Sequence, residues 1–212
     1  MDDADVQDRC ASGAAILHAR REDGAMSTIG VLLAAGRGSR MGRPKALVAD
    51  WLARGLSALE PCDEVLVVLG AQAEAVQRRL EGLVGDDVSV VVATDWAEGM
   101  GASLRAALAV AGEGDAEALL VTLVDLPDVG RPVVARVVGE GASRGSLRRA
   151  AYDGEPGHPV LLGRDHWEGV AAAAVGDQGA RDYLRRQRVE LVECGDLATG
   201  RDVDSLPVAP TD

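Results

Sequence analysis

Phenylalanine is absent from this 212-residue chain, and aromatic residues make up only 2% of it. A core without Phe has to be built from Val, Leu and Ala, through many close contacts between helices and a sheet. Cysteine is scarce as well: Cys10, Cys62 and Cys194 are odd in number and far apart. Such spacing excludes a disulfide framework or a cysteine-rich zinc site and fits reduced thiols in a cytoplasm. No apolar run has the length of a membrane span, so no membrane partner is expected. Basic residues are outnumbered, 22 Lys and Arg against 34 Asp and Glu, for a net charge of −12. A chain this acidic avoids nucleic acid in bulk, and any anion must be held by a local basic pocket. The N-terminus, MDDADVQD, is acidic and no cleavage-type apolar region follows, which argues against a signal peptide and for a cytoplasmic protein.

Against that acidic background one stretch stands out. Residues 28–45 read TIGVLLAAGRGSRMGRPK. An apolar run at 29–33 has the character of a buried strand. It ends in Leu33-Ala34-Ala35-Gly36, and the chain then carries Gly36, Gly38 and Gly42 among Arg37, Arg40, Arg43 and Lys45. Glycines let a backbone turn sharply and approach a ligand, and bare N–H groups in such a loop cradle anions. Four cations within nine residues suit a highly charged anion such as a nucleoside triphosphate. Neither common phosphate loop is present. There is no Gly-Lys-Ser/Thr ending, and Gly36-x-Gly38-x-x-x-Gly42 is one residue longer than the dinucleotide fingerprint.

From residue 28 onward strands and helices alternate. Strands are predicted at 29–33, 64–69, 88–92 and 118–123, and helices at 50–59, 73–80, 102–111 and 131–138. Later strands fall at 147–152, 160–162 and 189–192, at least one of them antiparallel, with a helix from about 179 through 183–187. This order predicts a three-layer α/β/α, Rossmann-like fold with a mostly parallel central sheet. Residues 1–27 read as a mobile tail with one short helix at 11–20, residues 28–206 as a single domain and 207–212 as a C-terminal tail. Met26, directly ahead of the first strand, is read as an alternative translational start, which mass spectrometry of the native protein would test.

Several polar motifs sit at the ends of these elements. Asp125 directly follows the apolar run 118–124, at the carboxyl end of a central strand, where open α/β sheets bind ligands. It is the best candidate for a metal ligand, while Asp128 is better placed to cap the next helix. The pair Asp202 and Asp204 is weak on its own, since acidic residues near a terminus are usually just solvated. Gly101 and Ser103 lie at a helix start, where either a cap or a contact to an anion or sugar fits. His158 lies between Gly157 and Pro159, in what reads as a rigid turn between strands. Asp177 and Arg181 open a helix, the former as an N-cap, the latter beside an anion site.

The run LAAGRGSRMGRPKAL resembles the signature of the MobA-like nucleotidyltransferases, most closely the molybdenum cofactor cytidylyltransferases. The resemblance extends over residues 28–205. It implies a loop that wraps a triphosphate, with Arg40 and Lys45 on the phosphates and the Leu33–Gly36 backbone reading the base. Related guanylyltransferases carry Leu-Ala-Gly-Gly there, so Ala35 points to cytosine. It further implies that Asp125 and Asp204 hold Mg²⁺, that Gly101 and Ser103 lie at the nucleotide site, and that His158, Asp177 and Arg181 face the second substrate, a pterin with a terminal phosphate. The chain departs from the family in two places. Ser205-Leu206-Pro207 replaces Thr-Pro-Glu after Asp204, and residues 46–50 run straight on where a longer glycine-bearing loop is usual.

The implied reaction is CMP transfer from CTP to molybdopterin, with a molybdoenzyme or its maturation chaperone receiving the product. A guanylyl or cytidylyl transfer to another phosphorylated metabolite or sugar phosphate remains open. So does a non-catalytic carrier of the molybdenum cofactor, although a carrier has little need of Asp125. A nicotinamide-dependent oxidoreductase would want an acid near the end of the second strand, and that strand ends Val68-Leu69-Gly70.

Overall fold

The computed structural model describes residues 26–85, 88–140 and 142–204. The expected helix at 11–20 and the C-terminal tail at 207–212 lie outside the described residues.

Among these residues seven strands form one sheet: β1 (Thr28–Leu33), β2 (Glu64–Leu69), β3 (Val88–Val92), β4 (Ala118–Leu123), β5 (Leu147–Tyr152), β6 (Glu155–Gly163) and β7 (Glu190–Glu193), in the order β3-β2-β1-β4-β6-β5-β7. β1 pairs in parallel with both β2 and β4, and β2 with β3. β6 runs antiparallel to β4 and β5, and β7 lies parallel to β5. The helices are α1 (Trp51–Ala58), α2 (Ala73–Leu80), α3 (Met100–Gly112), α4 (Arg131–Val138), α5 (Trp167–Ala173) and α6 (Arg181–Leu184).

Every residue of β1 is buried, as a central strand covered on both faces requires. Alternation sends Leu32 and Ala34 to one side, where they meet Leu52, Leu59, Val76 and Val133 of α1, its following turn, α2 and α4. Ile29, Val31 and Leu33 turn to the other, against Leu104, Ala107, Trp167, Val170 and Leu184 of α3, α5 and α6. The outcome is the three-layer α/β/α arrangement. Small residues stand in for the missing aromatics by letting layers approach. A side chain at Gly55 on α1 would come within 2.8 Å of Leu32.

The structure redraws some boundaries. Ser27, assigned to the tail, is buried, and its carbonyl accepts the N–H groups of Glu117 and Ala118. The Gly157-His158-Pro159 segment is not the turn between strands. It lies inside β6, and the hairpin turns instead at Asp153-Gly154, both with positive φ, the Asp-Gly pair that tight hairpins favour. Helix α5 was not expected. The helix expected through residue 187 is the single turn α6, whose N-cap is Ala180 and not Asp177. Asp128 does not cap α4, where Gly130 takes that place.

Candidate functional site

The strand order reverses at β1, whose neighbours β2 and β4 lead away in opposite directions, and ligands of open parallel sheets bind beyond the carboxyl ends of the strands at such a point. The loop after β1 begins there. Ala34 N–H donates to Val68 O at 2.9 Å, and Ala35 O accepts from Ala71 N at 3.0 Å, so the sheet holds the start of the loop. The chain then folds back on itself. Gly38 takes φ 62°, with its α-carbon packed against the Arg43 carbonyl, where no side chain fits.

A cavity of about 420 Å³ opens beside this loop. Leu33, Ala35, Gly36, Arg37, Ser39 and Lys45 form one wall, Trp96, Ala97, Gly99, Met100 and Ser103 the other, and Leu123, Val124 and Asp125 line it from β4. The Arg37 guanidinium lies over the Trp96 ring, 5.4 Å from its centre. Arg105 braces the far wall, donating to Ala174 O at 2.6 Å, Asp95 at 2.9 Å and Glu98 at 3.0 Å.

Four expected nucleotide contacts do not border this cavity. Ala34 is buried with its N–H committed to β2. Gly38 serves the fold of the loop. Gly101 is buried at the start of α3, where a side chain would come within 2.6 Å of Ala174 O, so its smallness serves packing. Arg40, the fourth, is exposed and forms an ion pair with Asp204.

At the end of β4 three carboxylates gather. Val203 N–H donates to Asp125 O at 3.0 Å, which ties residues 199–204 across the sheet end as a strap. Thr199 anchors the strap further back, donating to Asp128 Oδ2 through N–H at 2.7 Å and Oγ1 at 2.6 Å. Asp125, Asp202 and Asp204 thereby each place an oxygen within 4.8 Å of the others. Three hard oxygen donors this close fit a divalent cation such as Mg²⁺ or Mn²⁺. Asp202 is the addition to the expected pair; its position in Asp-x-Asp was visible, but the resemblance implied a metal contact only for the second acid, Asp204. Lys45 Nζ sits against the same group, 2.6 Å from Asp125 Oδ2 and 2.8 Å from Asp204 Oδ1. Burial works against its charge, but the bonds to Asp125 and Asp204 outweigh it and raise the Lys45 pKa above its usual range. The Lys45 hydrogen bond holds Asp204 below the usual carboxylate range.

A second cavity of about 290 Å³ adjoins the first, with Leu33, Met100, Leu123 and Asp177 bordering both. His158 and Arg181 line it, together with Arg149 from β5. Nothing in the sequence singled out Arg149: in a run of two arginines on a strand, the one tied up by neighbouring protein groups and the one bordering a cavity read alike. Burial, followed by the charges of Arg149 and Arg181, lowers the His158 pKa to about 4, so the imidazole is neutral near pH 7.

A glycine-and-arginine loop at the switch point, with a carboxylate cluster beside it and a second cavity beyond, defines the site of a nucleotide-using transferase. Comparison with known proteins agrees. Residues 30–191 match the model of the MobA-like NTP transferase domain, and the chain belongs to that family; it is a nucleotidyltransferase of the MobA-like type. Among solved structures it is similar to Rv0371c from Mycobacterium tuberculosis H37Rv, at 27% identity and a TM-score of 0.67 over 85% of this chain and 94% of that one. Its homologue from Mycobacterium sp. strain JC1 is also 27% identical, with a TM-score of 0.66 over 84% and 90% of the two chains. Rv0371c has also been solved as a complex with manganese, an alignment at 24% identity, a TM-score of 0.63 and coverage of 80% and 89%, which speaks to fold alone. Among curated proteins, none is significantly similar in sequence. No helix among the described residues is long and apolar enough to cross a membrane.

Proposed function

We propose that this protein transfers CMP from CTP to the terminal phosphate of molybdopterin, releasing pyrophosphate and forming the cytosine dinucleotide cofactor. The observation that carries this reading is the junction of the two cavities. The basic loop and Lys45 lie on one side, Arg149, His158 and Arg181 on the other, and Asp125 borders the first cavity while Asp202 borders the second. A donor and an acceptor lodged in these cavities would meet beside the carboxylates. An oxygen of the acceptor phosphate attacks the α-phosphorus, the bond from that phosphorus to the β-phosphate oxygen breaks, and pyrophosphate departs with the electron pair. Such transfers depend on positioning and charge neutralisation more than on covalent catalysis.

The chain's own groups divide this work. Lys45 and Arg40 exchange their bonds with Asp204 for the β- and γ-phosphates and hold the leaving group. Gly36 and Ser39 border the same wall as donors of close backbone or hydroxyl contacts, and Ser103 faces them from α3. Asp125, Asp202 and Asp204 would hold the divalent cation, Mg²⁺ in this proposal, which supplies charge neutralisation at the phosphate oxygens. Cytosine as the base rests on Ala35, and molybdopterin as the acceptor on the resemblance of residues 157–159 and 176–181 to the family's pterin-facing motifs. The test is to incubate the protein with each nucleoside triphosphate, Mg²⁺ and molybdopterin, and to measure pyrophosphate. Release with CTP and molybdopterin is expected. Release with GTP in preference, or only with another phosphorylated acceptor, would overturn the respective half of the assignment.

A further inference from the structure

The second cavity holds two guanidinium groups that the protein does not neutralise. Arg149 is half-buried on β5 and Arg181 is exposed at the start of α6, and both border the cavity. Among the described residues neither forms an ion pair, although Asp177 and Asp202 border the same space. The adjacent residue makes the contrast plain. Arg148 pairs with Glu190 at 2.9 Å and donates to the carbonyls of Val138 and Glu140. Arg149 makes one hydrogen bond among the described residues, from Nε to Gly157 O at 2.7 Å, and this fixes the guanidinium while leaving its Nη groups without a partner.

Arg149 lies near enough to Arg181 to feel its charge. Burial, and then the Arg181 charge, lower the Arg149 pKa from its usual value. A partly desolvated cation beside a second one is costly unless something arrives to pair with it. In a chain of net charge −12 acids are plentiful, yet among the described residues neither Asp177 nor Asp202 pairs with these arginines, although both border the cavity. A single carboxylate would satisfy one arginine and leave the other. A dianion with three acceptor oxygens satisfies both, each guanidinium presenting parallel N–H donors to a pair of oxygens.

We infer that Arg149 and Arg181 form a clamp for the dianionic phosphate of a monoester, completed by the His158 imidazole, and that Arg149 imposes the requirement for a phosphorylated acceptor. The inference rests on reading this cavity as the acceptor half-site. The same chemistry could be met by the terminal phosphate of the nucleotide, reaching past Leu33 and Met100. Inorganic phosphate is a probe that separates the two sources. It is titrated calorimetrically into the full chain, first alone and then saturated with CTP and Mg²⁺.

The expected result is phosphate binding that persists in the CTP-saturated protein and weakens roughly tenfold or more in Arg149→Met, with Arg149→Lys recovering part of it. Should Arg149→Met fail to fold, Arg181→Met, at an exposed position, carries the same expectation. Phosphate binding that is absent, or unchanged in these variants, overturns the clamp. Complete competition by CTP also overturns it and assigns the arginines to the triphosphate. If CTP itself does not bind while phosphate binding remains sensitive to Arg149→Met, the clamp stands and the cytidylyl reading falls.

Discussion

Lys45 Nζ lies 2.6 Å from Asp125 Oδ2, although one side chain comes from the loop after β1 and the other from the end of β4. The bond joins the two strands that flank the switch point, and it pairs a group proposed for phosphate with a group proposed for the metal. Both side chains are largely withdrawn from solvent, at 17% and 16% exposure, so the pair is not a loose surface contact. In the ligand-free protein the carboxylates keep Lys45 in place, and Lys45 keeps the carboxylates from repelling one another. A triphosphate that draws Lys45 away leaves three acids in want of a cation. Nucleotide and metal are thereby expected to favour each other's binding.

Asp125→Asn tests the metal side. The strap should stay seated, since Val203 bonds to the backbone carbonyl of Asp125 and not to its side chain. Loss of the charged ligand should weaken Mn²⁺ binding, read by electron paramagnetic resonance, and lower turnover by roughly 10²-fold or more, by analogy with removing one preorganised electrostatic contact. Unchanged Mn²⁺ affinity would show that Asp125 is not a ligand.

Asp128→Ala tests the strap. Asp128 touches neither cavity, yet it accepts two bonds from Thr199, three residues before Asp202. Without that anchor Asp202 and Asp204 are less well positioned. A loss of roughly tenfold in Mn²⁺ affinity is expected, as for other supports behind metal ligands, with cooperative thermal unfolding retained. Equal affinity in the variant would mean that the Val203 bond alone positions the two acids.

His158 makes stability depend on pH. Its folded pKa of about 4 lies below the ordinary value of 6.5, so the unfolded chain takes up the proton first. The fold is favoured fully above pH 6.5 and loses stability as pH falls toward 4, by at most about 3 kcal/mol. Urea unfolding at pH 7 and 4.5 should show a smaller acid loss for His158→Asn than for wild type. Asp204, whose pKa is lowered, contributes to acid loss only below the ordinary carboxylate range, which separates the two windows. Identical acid losses in the two proteins would show that His158 is not held neutral.

The fold was legible because its strands announce themselves. Residues 64–69, 88–92 and 118–123 are apolar runs bounded by polar or glycine-bearing turns, and all three strands lie at those bounds. The antiparallel half was harder. Pro156 and Pro159 disguised β6, whose nine residues contain a glycine between them. Helix α5 was missed because it buries only Trp167 and Val170, too few to set a period. In the site, Asp125 and Lys45 could be read because they adjoin strand ends and a glycine loop. Trp96 and Arg149 could not, because their place at the cavities depends on how separate segments pack, and no local pattern records that.

Arg40 and Lys45 should respond unequally to removal, and this distinguishes a phosphate-binding loop from a merely basic one. Among the described residues Arg40 is exposed and pairs with Asp204 alone, while Lys45 is shielded and bonds to two acids. If both take up the β- and γ-phosphates, Lys45→Ala removes a contact in a partly desolvated place and Arg40→Ala one that water screens. Turnover should fall by roughly 10²-fold or more for Lys45→Ala and less for Arg40→Ala. Lys45→Ala also leaves Asp125 and Asp204 without their ammonium. Mn²⁺ should then bind more tightly to the variant than to wild type in the absence of nucleotide, although the variant turns over poorly. Calorimetry adds the second arm: CTP binding should weaken more than CMP binding, since CMP lacks the phosphates concerned. Equal losses for CTP and CMP would assign the loop to base or sugar. Weaker Mn²⁺ binding in Lys45→Ala would mean that the lysine orders the carboxylates for the metal instead of competing with it.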